Sequence, residues 1–280
     1  MSLFILQLRG ELRKLFARKR TYIGFGAFFA LEVLVLMLFQ KESVQQWYRR
    51  TIERAGGAFE YYFSGLTLAL IILMATFLLT MLYLALIGGD VVAKEVEDGT
   101  MRMTLCRPIS RVRLLLIKYL ACVLYTFALV AFVAGSALVA GLLLYGSGGL
   151  FVAAPEQRIF ALYDWGEGLR RYAAAAGFYA LSFLSITTLG FTLSCFNMKP
   201  AAATIVTLSV FVIDWIFYHL PYFETIKQWF ITKNMATWAN IFHAQVPWPQ
   251  MVEDYAYLLA VDLTLLVIGA LNFQQRDFKT

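Results

Sequence analysis

Three carboxylates, Glu32, Asp214 and Asp262, stand inside otherwise apolar runs, and ten charged residues crowd into positions 88 to 118 between two such runs. A carboxylate at membrane depth costs a few kcal/mol unless it is paired, protonated or hydrated, so each of the three must face protein or a water-filled path. Two roles fit: handling of a proton or substrate along a transport path, or a hydrogen bond between helices. At about 1.5 Å per residue, Glu32 lies about 18 Å from Arg20 and Asp262 about 16 Å from Phe273, which sets both near the middle of a span. Asp214, beside Trp215 and His219, lies closer to an interface. Other chemistries do not assemble. His219 and His243 are isolated, with no H-E-x-x-H pair for zinc, and no G-x-x-x-x-G-K-[ST] loop is present to cradle phosphates. Cys106, Cys122 and Cys195 have no metal-ligand spacing and are expected to be free thiols. "IGGDV" lacks the first glycine of the G-x-G-D pattern of intramembrane aspartyl proteases, because Ile87 stands there, and the partner Tyr-Asp motif is absent. The expectation is a non-enzymatic chain with no metal or cofactor of its own.

The elements that must position these groups follow from composition. Hydrophobic residues make up 60% of the 280 residues, aromatics 16% and charged residues only 15%, with a mean hydropathy of +0.68. An average soluble domain is about 25% charged, so the chain reads as an integral membrane protein. Crossing a hydrocarbon core of about 30 Å takes about 20 apolar residues as helix. Six runs qualify: Thr21 to Phe39, Ser64 to Ile87, Leu114 to Leu144, Tyr172 to Phe196, Ala201 to His219 and Ala256 to Phe273. They are continuously apolar rather than alternating, which favours helices over a barrel. The third is long enough to protrude into water or to bend near Gly135. The expected fold class is all-α: a polytopic integral membrane protein of six transmembrane helices forming a single domain over residues 1 to 280.

Charge orients the spans. With the N-terminus cytoplasmic, fifteen of the 24 basic residues fall on the inner side against six acids, whereas the outer side balances nine against nine. The positive-inside rule then places both termini in the cytoplasm. This basic surface suits anionic lipid headgroups, not nucleic acid. "LFILQL" is too short for the core of a cleaved signal, so the first span is expected to target the chain itself.

Between the spans, residues 1 to 20 set Leu8, Leu12, Leu15 and Phe16 at helical spacing against a basic face, the pattern of a helix lying in the headgroup layer. In residues 88 to 113, Val92 and Val96 share one face of a short charged helix whose remaining faces carry Asp90, Lys94, Glu95, Glu97 and Asp98. Gly99 ends it with a left-handed cap and Thr100 caps a second small helix carrying Arg102. Pro108 stops that one, and Ser110 caps the third span. Such ordered punctuation suits docking to a soluble partner more than a solvated loop. Of the outer segments, residues 44 to 55 form an amphipathic helix, with Val44, Trp47, Tyr48, Thr51, Ile52 and Ala55 on one face. Residues 145 to 171 open on a Gly-rich stretch that reads as a turn, and residues 220 to 255 hold Trp229, Phe230, Trp238, Phe242 and Trp248 in interfacial or re-entrant helices.

Taken in order, Asp90, Glu95, Gly99, Thr100, Leu105, Pro108, Ile109, Ser110, Arg111 and Lys118 resemble the cytoplasmic loop after the second span in permease subunits of ATP-binding-cassette (ABC) exporters of the second export type. "ELRKLFARKR" resembles that family's helix leading into the first span, and "FQQRDF" its closing Phe-x-x-Arg-Asp. Met101 and Thr104 stand where the family usually has leucines. The resemblance spans the chain and implies several expectations. The small helix would be a coupling helix seated in a groove of a separate ABC ATPase subunit, which would bind ATP and Mg. A second permease copy, identical or related, would complete the pathway. The chain would be a multi-pass protein of the cytoplasmic (inner) membrane of a bacterium, with re-entrant outer helices as an external gate, and ATP hydrolysis would drive export of a substrate. The alternative is a mechanotransmission or assembly subunit that relays ATPase motion to an outer-face partner without moving a solute.

Overall fold

Long apolar runs become helices because only a helix satisfies its own backbone groups in lipid. The computed structural model describes residues 3–106, 109–154, 157 and 159–276. Its helices are α1 (Leu3–Ala17), α2 (Lys19–Phe39), α3 (Glu42–Arg54), α4 (Phe59–Tyr62), α5 (Gly65–Ala75), α6 (Phe77–Glu97), α7 (Thr100–Leu105), α8 (Arg111–Tyr145), α9 (Trp165–Cys195), α10 (Pro200–His219), α11 (Ile231–Met235) and α12 (Trp248–Gln275). Short 3-10 helical stretches cover Pro221–Trp229 and Ala236–Phe242. Among the described residues α2, α6, α8, α9, α10 and α12 are long and apolar enough to cross a membrane. The protein is a predominantly α-helical, multi-pass membrane protein.

Three expectations change. Strands β1 (Leu150–Ala154) and β2 (Ile159–Tyr163) form an antiparallel hairpin with Leu150 opposite Tyr163 where the sequence reads as a turn. Its letters, LFVAA and IFALY, are rich in aromatic and aliphatic residues suited to a half-buried sheet. The second crossing is divided at Thr76, whose hydroxyl donates to the Leu73 carbonyl oxygen, into α5 and α6. Then α6 runs unbroken from Phe77 through Glu97, so residues 88 to 97 are its last turns and not a separate charged helix. The glycines do not stop it because they serve contact. A Cβ at Gly88 would lie 2.6 Å from the Thr187 carbonyl oxygen on α9, and one at Gly89 2.8 Å from Thr204 Oγ1 on α10.

Those close approaches centre the core on α6 and α9, whose span windows are 67% and 61% buried against 17% for α10 and 22% for α12. Helix α5 lies against α8 with Gly65 and Gly141 backbone to backbone. Helix α8 is continuous across Gly135 and, at 35 residues, about 52 Å long, well beyond a hydrocarbon core of about 30 Å. Chain direction alternates between two ends. One, the basic end, gathers α1, α7, the starts of α2 and α8 and the last turns of α6, α9 and α12. The other, the aromatic end, holds α3, the hairpin and residues 220 to 247.

Candidate functional site

Lys118 sits eight residues into α8 and is 1% exposed, so its ammonium must be compensated by protein. Its Nζ lies 2.8 Å from Glu11 Oε2 on α1 and 2.7 Å from Glu95 Oε1 on α6. Lys14 closes the ring, with Nζ 2.6 Å from Glu11 Oε1 and 3.4 Å from Glu95 Oε1. Two cations and two anions therefore alternate across three helices. Burial works to raise the Glu11 pKa, but the ammonium groups of Lys118 and Lys14, with their hydrogen bonds, hold it below its ordinary value. For Lys14 burial works downward, and Glu11 and Glu95 carry it above the ordinary lysine value. Arg20 on α2 adds a second tie, donating from Nη1 to Asp90 Oδ2 at 2.6 Å.

The sequence-predicted coupling residues separate into two groups. Asp90 and Glu95, 4% and 7% exposed, point into the bundle and are spent on internal pairs. Gly99, Thr100, Arg102 and Ser110 remain at the surface. Gly99 has φ +71°, the left-handed break that its residue type implies, and α7 starts directly after it. Thr100 does not cap α7. Its Oγ1 donates instead to the Glu95 carbonyl oxygen at 3.2 Å, satisfying the end of α6. Ser110 does cap α8, its Oγ accepting from Arg113 N. Within α7, Met101 is buried while Met103, 68% exposed, faces out, and Leu105 closes the helix. Arg111 donates from Nη1 to the carbonyl oxygens of Gln274 and Arg276, and Arg276 from Nη1 to that of Phe196, so α8, α12 and the end of α9 are stitched together. Pro108, with Asp277 and Phe278 of the closing motif, lies outside the described residues.

The three intramembrane acids have three different fates. Glu32, 1% exposed, accepts from Ser136 Oγ of α8 at 2.6 Å. Asp262, 7% exposed on α12, faces Ser185 of the neighbouring α9 across a contact longer than a full hydrogen bond, its Oδ1 having no closer partner among the described residues. Asp214 accepts from Thr232 N at 2.7 Å and Ile231 N at 3.2 Å, and from Thr232 Oγ1, so it caps the N-terminus of α11 and ties the aromatic end to α10. Among the described residues no cluster of three His, Cys, Asp or Glu side chains is placed to hold a metal ion. Cys106 is exposed, Cys122 and Cys195 are buried, and all three are free thiols.

Sequence reasoning named Glu11 and Lys118 only as letters of motifs and missed that they meet. A signal existed: a lysine within "LLLIKYLACVLY" demands a buried anion, and the nearest acids at that depth are on α1 and α6. The serine partners of the membrane acids had no such signal.

A family described as "Protein of unknown function (DUF2705)" matches residues 20–279. The chain belongs to that family. The DUF2705 match takes in Arg20, Asp90, Glu95, Lys118 and all three intramembrane acids, and it begins after α1. No curated protein matches the chain.

Proposed function

We propose that this DUF2705 chain is the membrane subunit of an ATP-driven exporter, a permease without catalytic groups of its own that is worked by a separate ABC ATPase carrying ATP and Mg. The observation that carries the reading is α7. The left-handed Gly99 turns a small helix outward from the end of α6, one of the two most buried spans, and leaves Arg102 and Met103 exposed for a partner. A push on α7 enters α6 directly, and through Glu95 and Lys118 it reaches α1 and α8. ATP must bind one state of the complex preferentially, and α7 transmits that difference. In this reading the basic end and both termini are cytoplasmic, in keeping with the positive-inside rule. The hairpin and residues 220 to 247 lie outside, the short helices there being re-entrant, and a second copy completes the pathway in the cytoplasmic membrane of a bacterium. Glu32 and Asp262 are its candidate path residues, while Asp214 is a cap.

One observation favours the alternative, force transmission without a solute. The centre of the single chain is a tight contact between α6 and α9 at Gly88 and Gly190. The test is purification of the full chain from its native membrane with Mg-ATP present, followed by measurement of ATP hydrolysis in the co-purified complex. Wild type should carry the activity. The Arg102→Glu/Met103→Glu variant should remain monodisperse and lose it, since both side chains are at the surface. No hydrolysis with wild type, or equal hydrolysis with the variant, defeats the proposal.

A further inference from the structure

At the aromatic end, opposite α7, a cleft of about 310 Å³ opens between Pro221–Trp229, α11 and the start of α12. It is of the size at which small-ligand sites begin, roughly 300 Å³. Trp229 and Tyr257 give it an aromatic wall, with ring centroids 5.9 Å apart at 64° and the Tyr257 hydroxyl donating to the Trp229 carbonyl oxygen at 2.7 Å. That bond fixes the edge of the wall while the Trp229 side chain stays 60% exposed.

The charges lining the cleft do not cancel. Lys233 Nζ lies 2.7 Å from Asp254 Oδ1, and Thr237 Oγ1 donates to Asp254 Oδ2, so the buried Asp254 is satisfied and the lysine neutralised. Asn234 is also occupied, its Nδ2 donating to the carbonyl oxygens of Gln228 and Phe230. Glu253 is left over: it lines the cleft, is exposed and has no ion-pair partner among the described residues. A single uncompensated carboxylate beside an aromatic wall is the arrangement that recognises an organic cation, since ring faces and carboxylate both attract positive charge and the rings shed little water in doing so. We infer that this cleft binds an alkylammonium group, with Glu253 as its counter-charge and Trp229 and Tyr257 as its walls. The same chemistry has two sources, a free ammonium compound or the choline headgroup of a neighbouring lipid. The inference does not rest on coupling to an ATPase and is measurable in the isolated chain.

The experiment is calorimetric titration of the full chain in phosphatidylglycerol nanodiscs with choline and, separately, with its neutral isostere 3,3-dimethylbutan-1-ol. Choline should bind saturably and the alcohol should not. Glu253→Gln should weaken choline about tenfold through loss of the coulombic counter-charge to its quaternary ammonium, and Trp229→Leu should weaken it through loss of the aromatic face. Both side chains are exposed, so neither change disturbs a packed core, and the comparison of choline with the alcohol needs no variant at all. Nanodiscs containing phosphatidylcholine separate the sources: loss of the choline signal there assigns the site to a lipid headgroup, and an unchanged signal to a free ligand. Absence of choline binding, equal binding of the alcohol, binding of inorganic phosphate in place of choline, or full affinity in Glu253→Gln overturns the inference.

Discussion

At the basic end Lys118, 1% exposed, has carboxylates on two other helices within 2.8 Å; at the aromatic end Glu253 stands exposed beside a cleft with no ion-pair partner among the described residues. Both are charges on span helices, yet one binds the chain to itself and the other leaves an offer to something else. The difference teaches how to read charge in this molecule. Paired, buried charge reports assembly of helices, and an exposed charge without a partner is open to recognition only where, as at Glu253, it lines a cleft. By that criterion Asp90 and Glu95, which the sequence reading assigns to a docking surface, belong to assembly, and the proposed docking role contracts to Arg102, Met103 and the turn at Gly99.

The sharpest way to break the comparison is Lys118→Met. It leaves Glu11 and Glu95 buried without their shared cation, a loss of about 3–5 kcal/mol, and thermal unfolding followed by monodispersity in detergent should show a large fall. The triple change to Lys118→Met/Glu11→Gln/Glu95→Gln should recover part of it. Glu253→Gln, its counterpart at the other end, should leave the melting temperature unchanged, and equal melting of the two single variants would erase the distinction. Glu95→Lys should resemble Lys118→Met, failing by misassembly before any partner is involved.

Next in size is Gly99→Val. A β-branched residue in the left-handed region costs on the order of 1–2 kcal/mol, so the variant should fold with a modestly lower melting temperature but aim α7 wrongly. Its complex should keep the ATPase and lose control of hydrolysis, which separates it from Arg102→Glu/Met103→Glu. Asp214→Ala should cost about 1 kcal/mol as a lost helix cap. The measurable sign is faster amide exchange across residues 231 to 235, with the basic end unaffected.

The smallest effect is on pH. A carboxyl depressed from its ordinary value of 4.5 stabilises the folded state above that value and loses the contribution as pH falls through the depressed pKa; a lysine raised above 10.5 contributes below that value and loses it above. The ring that holds α1 should therefore stay closed across neutral pH and open only in strong acid or strong base. The protection factor of the amides in residues 3 to 17, the intrinsic exchange rate at each pH divided by the observed one, should be flat from about pH 5 to about pH 9 and fall at pH 3. A fall near pH 6 would show that Glu11 is not held by the ring.

Much of the architecture is legible in the letters because length and hydropathy act locally. Five of the six spans, the amphipathic α3, the left-handed Gly99 and the Ser110 cap follow from residue type and spacing, while the second span, read as one run, is divided into α5 and α6. What the letters do not carry is pairing at long range. Gly88 and Gly89 look like a break and are instead a contact surface, which only the presence of α9 and α10 decides. Asp214 looks like a membrane acid, and the two amide groups it caps are 17 and 18 residues away. The hairpin was hidden for another reason: glycines before it dominate a reading that weighs turn residues, while five-residue strands are too short to declare a period.

Thr76 divides the second crossing unequally, with 11 residues in α5 and 21 in α6. The shorter piece is clamped, since Gly65 and Gly141 leave no side-chain cushion between α5 and α8. Any swing of α6 must therefore be absorbed at Thr76, where the helical ladder is already interrupted. The long arm is about 32 Å at 1.5 Å per residue, so a displacement of about 2 Å at its tip is a rotation of only about 4°. Under the proposed coupling, that small angle would make the crossing a lever: fixed at its short end, pivoted at a threonine and handled at its long end by α7.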